Sequence, residues 1–173
     1  MRKINIFISV GATANQRQED FVSALEKKLD SEGLTPNTVG RNKFSADAPL
    51  KAVMEVMDDC SGAIILALER LYFPNGIEKR GGPKEKPLVN CKIATPWNQI
   101  EAAMAYTKGQ PLFVIREQGV TSEGLLEQGY DWYVMNVELD PGVFDTPEFK
   151  GVISSWKEKV KSFHEKKKGD ASP

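Results

Sequence analysis

The chain has 173 residues, 40% hydrophobic and 27% charged, which is typical of one globular domain with a hydrophobic core. Its 23 basic and 24 acidic residues give a formal net charge of −1, which argues against a duplex-DNA-binding protein, because such proteins need a basic surface. Two cysteines and a single histidine favour neither a disulfide framework nor a metal site, so we expect no metal and a reducing, cytoplasmic environment.

The first half of the chain is predicted to alternate strands with helices. Residues 4–10 are apolar and β-branched, which is typical of a strand buried on both faces. Apolar residues at helical spacing predict a helix around residues 21–29, and a short strand follows over 34–39. Asp47 is predicted to cap a second helix, and residues 62–68 form the clearest strand of the chain.

The second half begins with a long segment that interrupts the alternation of strands and helices. Residues 70–96 are rich in glycine, proline and lysine and are predicted to be a loop insertion, which in a compact domain is usually functional or mobile. Thr95 is predicted to cap a helix that runs to residue 108, with Pro96 in its first turn. The remaining predicted elements are strands over 111–115 and 133–137, a short helix over 123–126, a helix over about 147–167 and a frayed tail over 168–173.

Strands that are apolar along their whole length and alternate with helices predict a parallel sheet covered on both faces. We therefore expect one α/β domain over residues 1–173, a flavodoxin-like three-layer sandwich with a five-stranded parallel sheet. No apolar run reaches the roughly 20 residues of a membrane span, and residues 1–5 enter the first strand pattern without a signal peptide. We expect no contact with a membrane.

In an open parallel sheet a ligand binds beyond the carboxyl ends of the strands. After the first strand these ends contribute Ser9, Val10 and Gly11, and after the third they contribute Leu68 and Glu69. The helix that follows the long interruption enters the same edge, so we expect the binding site there.

Glu101 is the carboxylate with the most unusual surroundings. It follows Trp97 by four residues, so both lie on one helix face, whereas Asn98 and Gln99 are predicted to point elsewhere. Residues 102–105 are small and apolar, which predicts a buried stretch where an unpaired carboxylate is costly. A functional glutamate is one interpretation, and an ordinary solvent-facing helix residue is the other.

Four short segments, taken in chain order, form a recognisable pattern. They are Phe7-Ile8-Ser9, then Phe21-x-x-x-Leu25-x-x-x-Leu29-x-x-x-Gly33, then Met57-x-x-Cys60-Ser61-x-Ala63-Ile64-Ile65-Leu66, then Trp97-x-x-x-Glu101. Their order resembles a TIR domain, whose WxxxE pattern has its catalytic glutamate at the position of Glu101. Glu101, Ala105 and the turn Gly109-Gln110-Pro111 are also similar to the nucleoside 2-deoxyribosyltransferases, which share this architecture. The resemblance covers residues 3 to about 138.

The TIR resemblance implies cleavage of the N-glycosidic bond of NAD, which is then a substrate and not a cofactor. Glu101 would stabilise the oxocarbenium-like ribose as nicotinamide leaves, and a carboxylate in a dry pocket is suited to that charge. Nicotinamide is already cationic when bound to ribose, so no general acid is required. The resemblance also implies a role in bacterial signalling or antiviral defence, and assembly into homo-oligomers.

The resemblance further implies a set of substrate-binding positions beside Glu101. They are Ser9, Val10, Gly11, Arg41, Phe44 and Trp97, and the position of the strand ends adds Leu68 and Glu69. Trp97 would wall the pocket or merely pack, and Arg41 would contact phosphate or be a solvated loop cation. Gly11 departs from the family, which commonly has a polar residue there, and the segment 71–93 is much longer than in most TIR domains.

Two alternatives to the NAD-cleaving enzyme stay open at this point. One is a nucleoside or nucleotide hydrolase or 2-deoxyribosyltransferase with Glu101 as covalent nucleophile. The other is a nucleotide sensor or scaffold that binds without turnover, because the fold alone does not determine the activity.

Overall fold

The computed structural model describes residues 3–170 and contains a parallel sheet with helices on both faces. The strands in chain order are β1 (Ile4–Ser9), β2 (Leu34–Asn37), β3 (Ala63–Ala67), β4 (Leu71–Glu78), β5 (Lys86–Ile93), β6 (Leu112–Glu117) and β7 (Tyr133–Val137). The helices are α1 (Gln16–Ser31), α2 (Pro49–Asp58), α3 (Pro96–Thr107) and α4 (Pro147–Asp170).

The main sheet has the strand order β2-β1-β3-β6-β7, and all of its neighbouring strands are parallel. Numbered within the sheet, this order is 2-1-3-4-5, the flavodoxin-like arrangement. The predicted fold class is therefore confirmed. The order reverses beside β1, where consecutive connections pass to opposite faces, so the carboxyl ends of β1 and β3 flank a natural crevice.

The helices bury two separate hydrophobic layers against the sheet. On one face, α1 and α4 place Phe21, Leu25 and Phe149 against β1, β3 and β6. On the other face, α2 and α3 place Met57 and Ala102 against the alternate residues of the same strands. The small side chains of α3 let its backbone come close to β3, and this fixes the start of α3 at the crevice.

Two glycines permit turns or contacts that other residues would strain. Gly33 has φ of 80° and ends the turn after α1, as its position after the apolar stripe predicts. At Gly62 an added Cβ would lie 2.6 Å from Val160 Cγ2 and 3.1 Å from Trp156 Cζ2. Glycine at position 62 therefore lets α4 pack against the entry to β3.

The predicted loop over residues 70–96 is wrong, because most of this segment is an antiparallel hairpin. Leu71 lies opposite Ile93 and Glu78 lies opposite Lys86 in the β4–β5 ladder. With the exception of Asn75, every second residue of both strands is apolar, a period-2 pattern that the surrounding glycines, prolines and lysines obscure. The positive φ of Lys79 (54°) and of Gly81 (78°) belong to the turn between the strands.

Smaller differences concern the ends of helices. Asp47 is not the cap of α2, which begins at Pro49 after Ala48; its carboxylate instead pairs with Lys51 Nζ at 3.0 Å. The predicted fraying from residue 168 is also wrong as far as Asp170, where α4 ends, and residues 171–173 lie outside the described chain. Within residues 3–170, no helix combines the length and the apolar character that crossing a membrane requires.

Candidate active site

A cleft of about 240 Å³ opens at the carboxyl edge of the main sheet. Its walls come from three segments that the topology brings together: Gly11 and Ala12 after β1, residues 68–70 after β3, and Thr95, Trp97 and Asn98 at the start of α3. This is the edge at which open parallel sheets bind ligands. The sequence-based prediction of Gly11, Leu68, Glu69 and Trp97 as neighbours agrees with this geometry.

Gln18, a buried residue of α1, ties two walls of the cleft together. Its Nε2 donates to the Glu69 carbonyl at 2.8 Å, and its Oε1 accepts from the Ala14 backbone N–H at 2.8 Å. The loop after β1 is thereby joined to the loop after β3. Gly11 contributes to the same closeness, because a Cβ at this position would lie 3.3 Å from Thr95 Cγ2.

The start of α3 has a defined cap. The Thr95 hydroxyl accepts from the Trp97 backbone N–H at 3.4 Å, as predicted from the Thr-Pro sequence. The Trp97 side chain lines the cleft and is 36% exposed. An indole face that remains accessible beside a cavity of this kind can stack against a planar base.

Asn98 of α3 lies at a different place from the one predicted. It was expected to point away from the site, but it is buried and lines the cleft. Its Nδ2 donates to Ser9 Oγ at 2.9 Å and lies 3.3 Å from the Ser9 carbonyl and 3.4 Å from the Leu66 carbonyl. Asn98 therefore anchors α3 to the ends of β1 and β3 and fixes the Ser9 hydroxyl.

Glu101 follows Asn98 by one helical turn and is only 8% exposed. Burial raises the pKa of its carboxyl from 4.5 to about 7, while a hydrogen bond with the Ser9 side chain opposes that shift. Glu101 is not itself among the residues that line the cleft; it lies on the same buried face of α3 as Asn98 and beside Ser9. Since Ser9 contacts both Asn98 and Glu101, a polar path leads from the cleft wall to the buried carboxyl.

The rim on the β6 side carries a cluster of charged groups. Glu69 Oε2 accepts from Lys92 Nζ at 2.8 Å, and this hydrogen bond raises the pKa of Lys92. Glu117 Oε2 accepts from the Glu69 backbone N–H at 2.7 Å, and Glu117 Oε1 lies 3.9 Å from Lys92 Nζ. Glu69 is thus engaged with Lys92 of the hairpin, so its carboxylate is not a free base of the cleft.

Three residues of the predicted substrate-binding set lie away from the cleft. Arg41 is held by Glu19 and Glu26, with Nη2 2.7 Å from Glu19 Oε1 and Nε 2.8 Å from Glu26 Oε1. The hydrogen bonds with Arg41 lower the pKa of Glu19 to about 2. Phe44 is 80% exposed beside a separate surface depression, and Val10 packs partly on the core under α1.

The site combines a buried carboxyl group with an apolar and a polar wall, and this combination suits a ligand that develops positive charge. A carboxyl in low dielectric interacts strongly with a cationic centre, because water does not screen it. The exposed indole of Trp97 and the amide of Asn98 provide an apolar and a polar wall for a ligand with a ring and hydroxyl groups. The described residues contain no group of three or more His, Cys, Asp or Glu side chains placed to hold a metal ion.

The sequence matches no protein-family model and no curated protein. Among solved structures, the chain is similar to the Clostridium botulinum CMP N-glycosidase BcmB, with 15% sequence identity and a TM-score of 0.47 over 77% of this chain and 88% of that chain. A similarity of this degree assigns neither an activity nor a residue role to the present protein.

Proposed function

We propose that this protein cleaves the N-glycosidic bond of a nucleotide, with NAD as the first substrate to consider and Glu101 as the catalytic carboxylate. The observation that carries the proposal is the buried Glu101 carboxyl beside Ser9, one helical turn from the cleft residue Asn98, at the edge of the sheet where ligands bind. A carboxylate that is costly to bury has a chemical use where positive charge develops.

The reaction we propose is hydrolysis at C1′ of the nicotinamide ribose. The C1′–N bond breaks and its electron pair goes to the nitrogen, so the pyridinium leaves as neutral nicotinamide. The ribose becomes oxocarbenium-like, and ionised Glu101 stabilises that charge. Water then adds to C1′ and releases one proton, which gives ADP-ribose. Attack by a group of the same substrate in place of water would give a cyclic product.

The second candidate is a nucleoside or nucleotide N-glycosidase, or a 2-deoxyribosyltransferase. Two observations favour it. The cavity of about 240 Å³ is small for a whole dinucleotide but suits a smaller ligand. A pKa near 7 also leaves Glu101 partly protonated at neutral pH, and a neutral base needs a proton as it leaves. In a transferase, the same residue would instead attack C1′ as nucleophile.

The test is incubation of the purified protein with NAD and, separately, with a mixture of nucleosides and nucleotides, with products identified by chromatography and mass spectrometry. Nicotinamide release by the wild type would support NAD cleavage, and free bases from the mixture would support the second candidate. Each substrate is assayed over a range of protein concentrations, because activity that rises more than linearly would support the homo-oligomer implied by the TIR resemblance.

Two variants separate the site from general effects. Glu101→Gln should reduce turnover at least 100-fold while the fold is kept, since the amide preserves the shape of the side chain. Glu165→Gln, on the exposed side of α4, is the matched control and should retain wild-type activity. Normal turnover by the Glu101→Gln variant would disprove the site, and binding of ADP-ribose without any product would instead support a nucleotide sensor.

A further inference from the structure

Arg70 is a positively charged residue that lines the cleft and has no role in the proposed reaction. Its Nη1 donates to Thr95 Oγ1 at 3.3 Å, and both residues line the cavity. No carboxylate in the described part of the chain forms an ion pair with it, in contrast to Arg41, which Glu19 and Glu26 engage with paired contacts. The guanidinium of Arg70 therefore has donor groups left for a ligand.

The carboxylates of the neighbouring charged cluster on the rim are directed elsewhere. Glu69 pairs with Lys92 at 2.8 Å, and Glu117 accepts the Glu69 backbone N–H at 2.7 Å. No hydrogen bond or ion pair joins the Arg70 side chain to these groups within residues 3–170. Arg70 thus presents a positive charge to the cleft that no protein carboxylate contacts.

Backbone donors lie on the neighbouring wall. Gly11 and Ala12 line the cavity, and within residues 3–170 their N–H groups donate to no protein acceptor. Thr95 connects the two walls, since its hydroxyl accepts from Arg70 and its methyl group lies close to Gly11. Free backbone N–H groups beside a guanidinium suit an oxyanion such as phosphate.

We propose that Arg70 binds a phosphate group of the substrate, with the N–H groups of Gly11 and Ala12 as further donors. The inference rests on the proposed function, because it assigns the substrate class of the same site. The substrate is then a nucleotide whose ribose carries a phosphate, and a free nucleoside is a poor ligand. Arginine suits this role because its planar donors match phosphate oxygens.

The test compares ligands that differ only in the 5′-phosphate: nicotinamide mononucleotide with nicotinamide riboside, AMP with adenosine, and CMP with cytidine. Binding is measured by calorimetry in the Glu101→Gln protein, which limits turnover. In at least one pair, we expect the nucleotide to bind 10- to 100-fold more tightly than its nucleoside, the range for a charge-assisted contact. Adding Arg70→Gln should remove most of that ratio while nucleoside affinity stays the same.

The matched control is Arg80→Gln, which removes one positive charge from the hairpin turn away from the cleft and should leave every ratio unchanged. Arg70→Lys should restore only part of the preference, since a point charge replaces the paired donors. The proposal is overturned if no nucleotide binds more tightly than its nucleoside, or if Arg70→Gln keeps the ratio. Phosphate-dependent binding without turnover by the wild type would refute the proposed function alone, and turnover without phosphate preference would refute this inference alone.

Discussion

Replacing Glu101 with glutamine is expected to make the folded protein more stable above neutral pH. Burial raises the pKa of the Glu101 carboxyl from 4.5 to about 7. Between these two values the folded state holds a proton that the unfolded state releases, so this group's contribution to stability falls as pH rises. Above pH 7 the ionised, buried carboxylate lowers the free energy of unfolding by about 3 kcal/mol relative to a neutral side chain.

The assay is urea unfolding of the wild type, Glu101→Gln and the exposed control Glu165→Gln at pH 5, 6, 7 and 8. From pH 5 to pH 8, the stability of the Glu101→Gln protein relative to the wild type should increase by about 2 to 3 kcal/mol. The Glu165→Gln control should show no such trend. A difference between the Glu101→Gln protein and the wild type that stays constant over this range would refute the argument, because Glu101 would then titrate like an exposed carboxyl.

Other predictions concern catalysis, packing and thiol reactivity. If ionised Glu101 stabilises the oxocarbenium-like ribose as nicotinamide leaves, kcat/KM for NAD should rise with pH and level off above about 7, as measured in a pH–rate profile. Gly62→Ala should destabilise the protein by about 1–3 kcal/mol in urea unfolding, because its Cβ would lie 2.6 Å from Val160 Cγ2. Iodoacetamide at pH 8 should modify Cys91 in the native protein but spare Cys60, whose pKa burial raises to about 12, as read by mass spectrometry.

Each of these three predictions has a contrary outcome or a control. A pH–rate profile that falls above pH 7 would indicate a protonated Glu101 acting as general acid, as the second candidate requires. Gly151→Ala, where an added Cβ meets no atom within 4 Å, is the packing control and should cost much less stability than Gly62→Ala. Equal labelling of both cysteines before unfolding would contradict the burial of Cys60, whereas both should react in urea.

The parts of the fold that follow from local patterns were predictable. Continuous apolar runs indicated the strands of the main sheet, and their alternation with helices indicated the parallel arrangement that the structure confirms. The hairpin was missed, because its composition of glycine, proline and lysine is also that of a loop. The signal for a strand was an apolar residue at alternate positions: Asn90 separates Val89 from Cys91, and Lys92 separates Cys91 from Ile93.

At the site, the helix period was more informative than the family-like WxxxE spacing. The buried residues of α3 are Asn98, Glu101, Ala102 and Ala105, which is the i, i+3, i+4, i+7 stripe of one face. Applied to the sequence, this stripe predicts that Asn98 shares the buried face with Glu101. The position of Arg41 could not be predicted in this way, because its partners Glu19 and Glu26 are 22 and 15 residues away.

The hairpin leaves and rejoins the rest of the protein at adjacent points, since Leu71 and Ile93 face each other across the ladder. Antiparallel partners are only about 5 Å apart, so a tight two-residue connection could span the same gap. The segment between them is therefore a natural grafting position: it could be shortened, or exchanged for a reporter peptide, without rerouting any strand of the main sheet. Such chimeras would show which properties of the cleft depend on the main sheet with its helices and which depend on the hairpin.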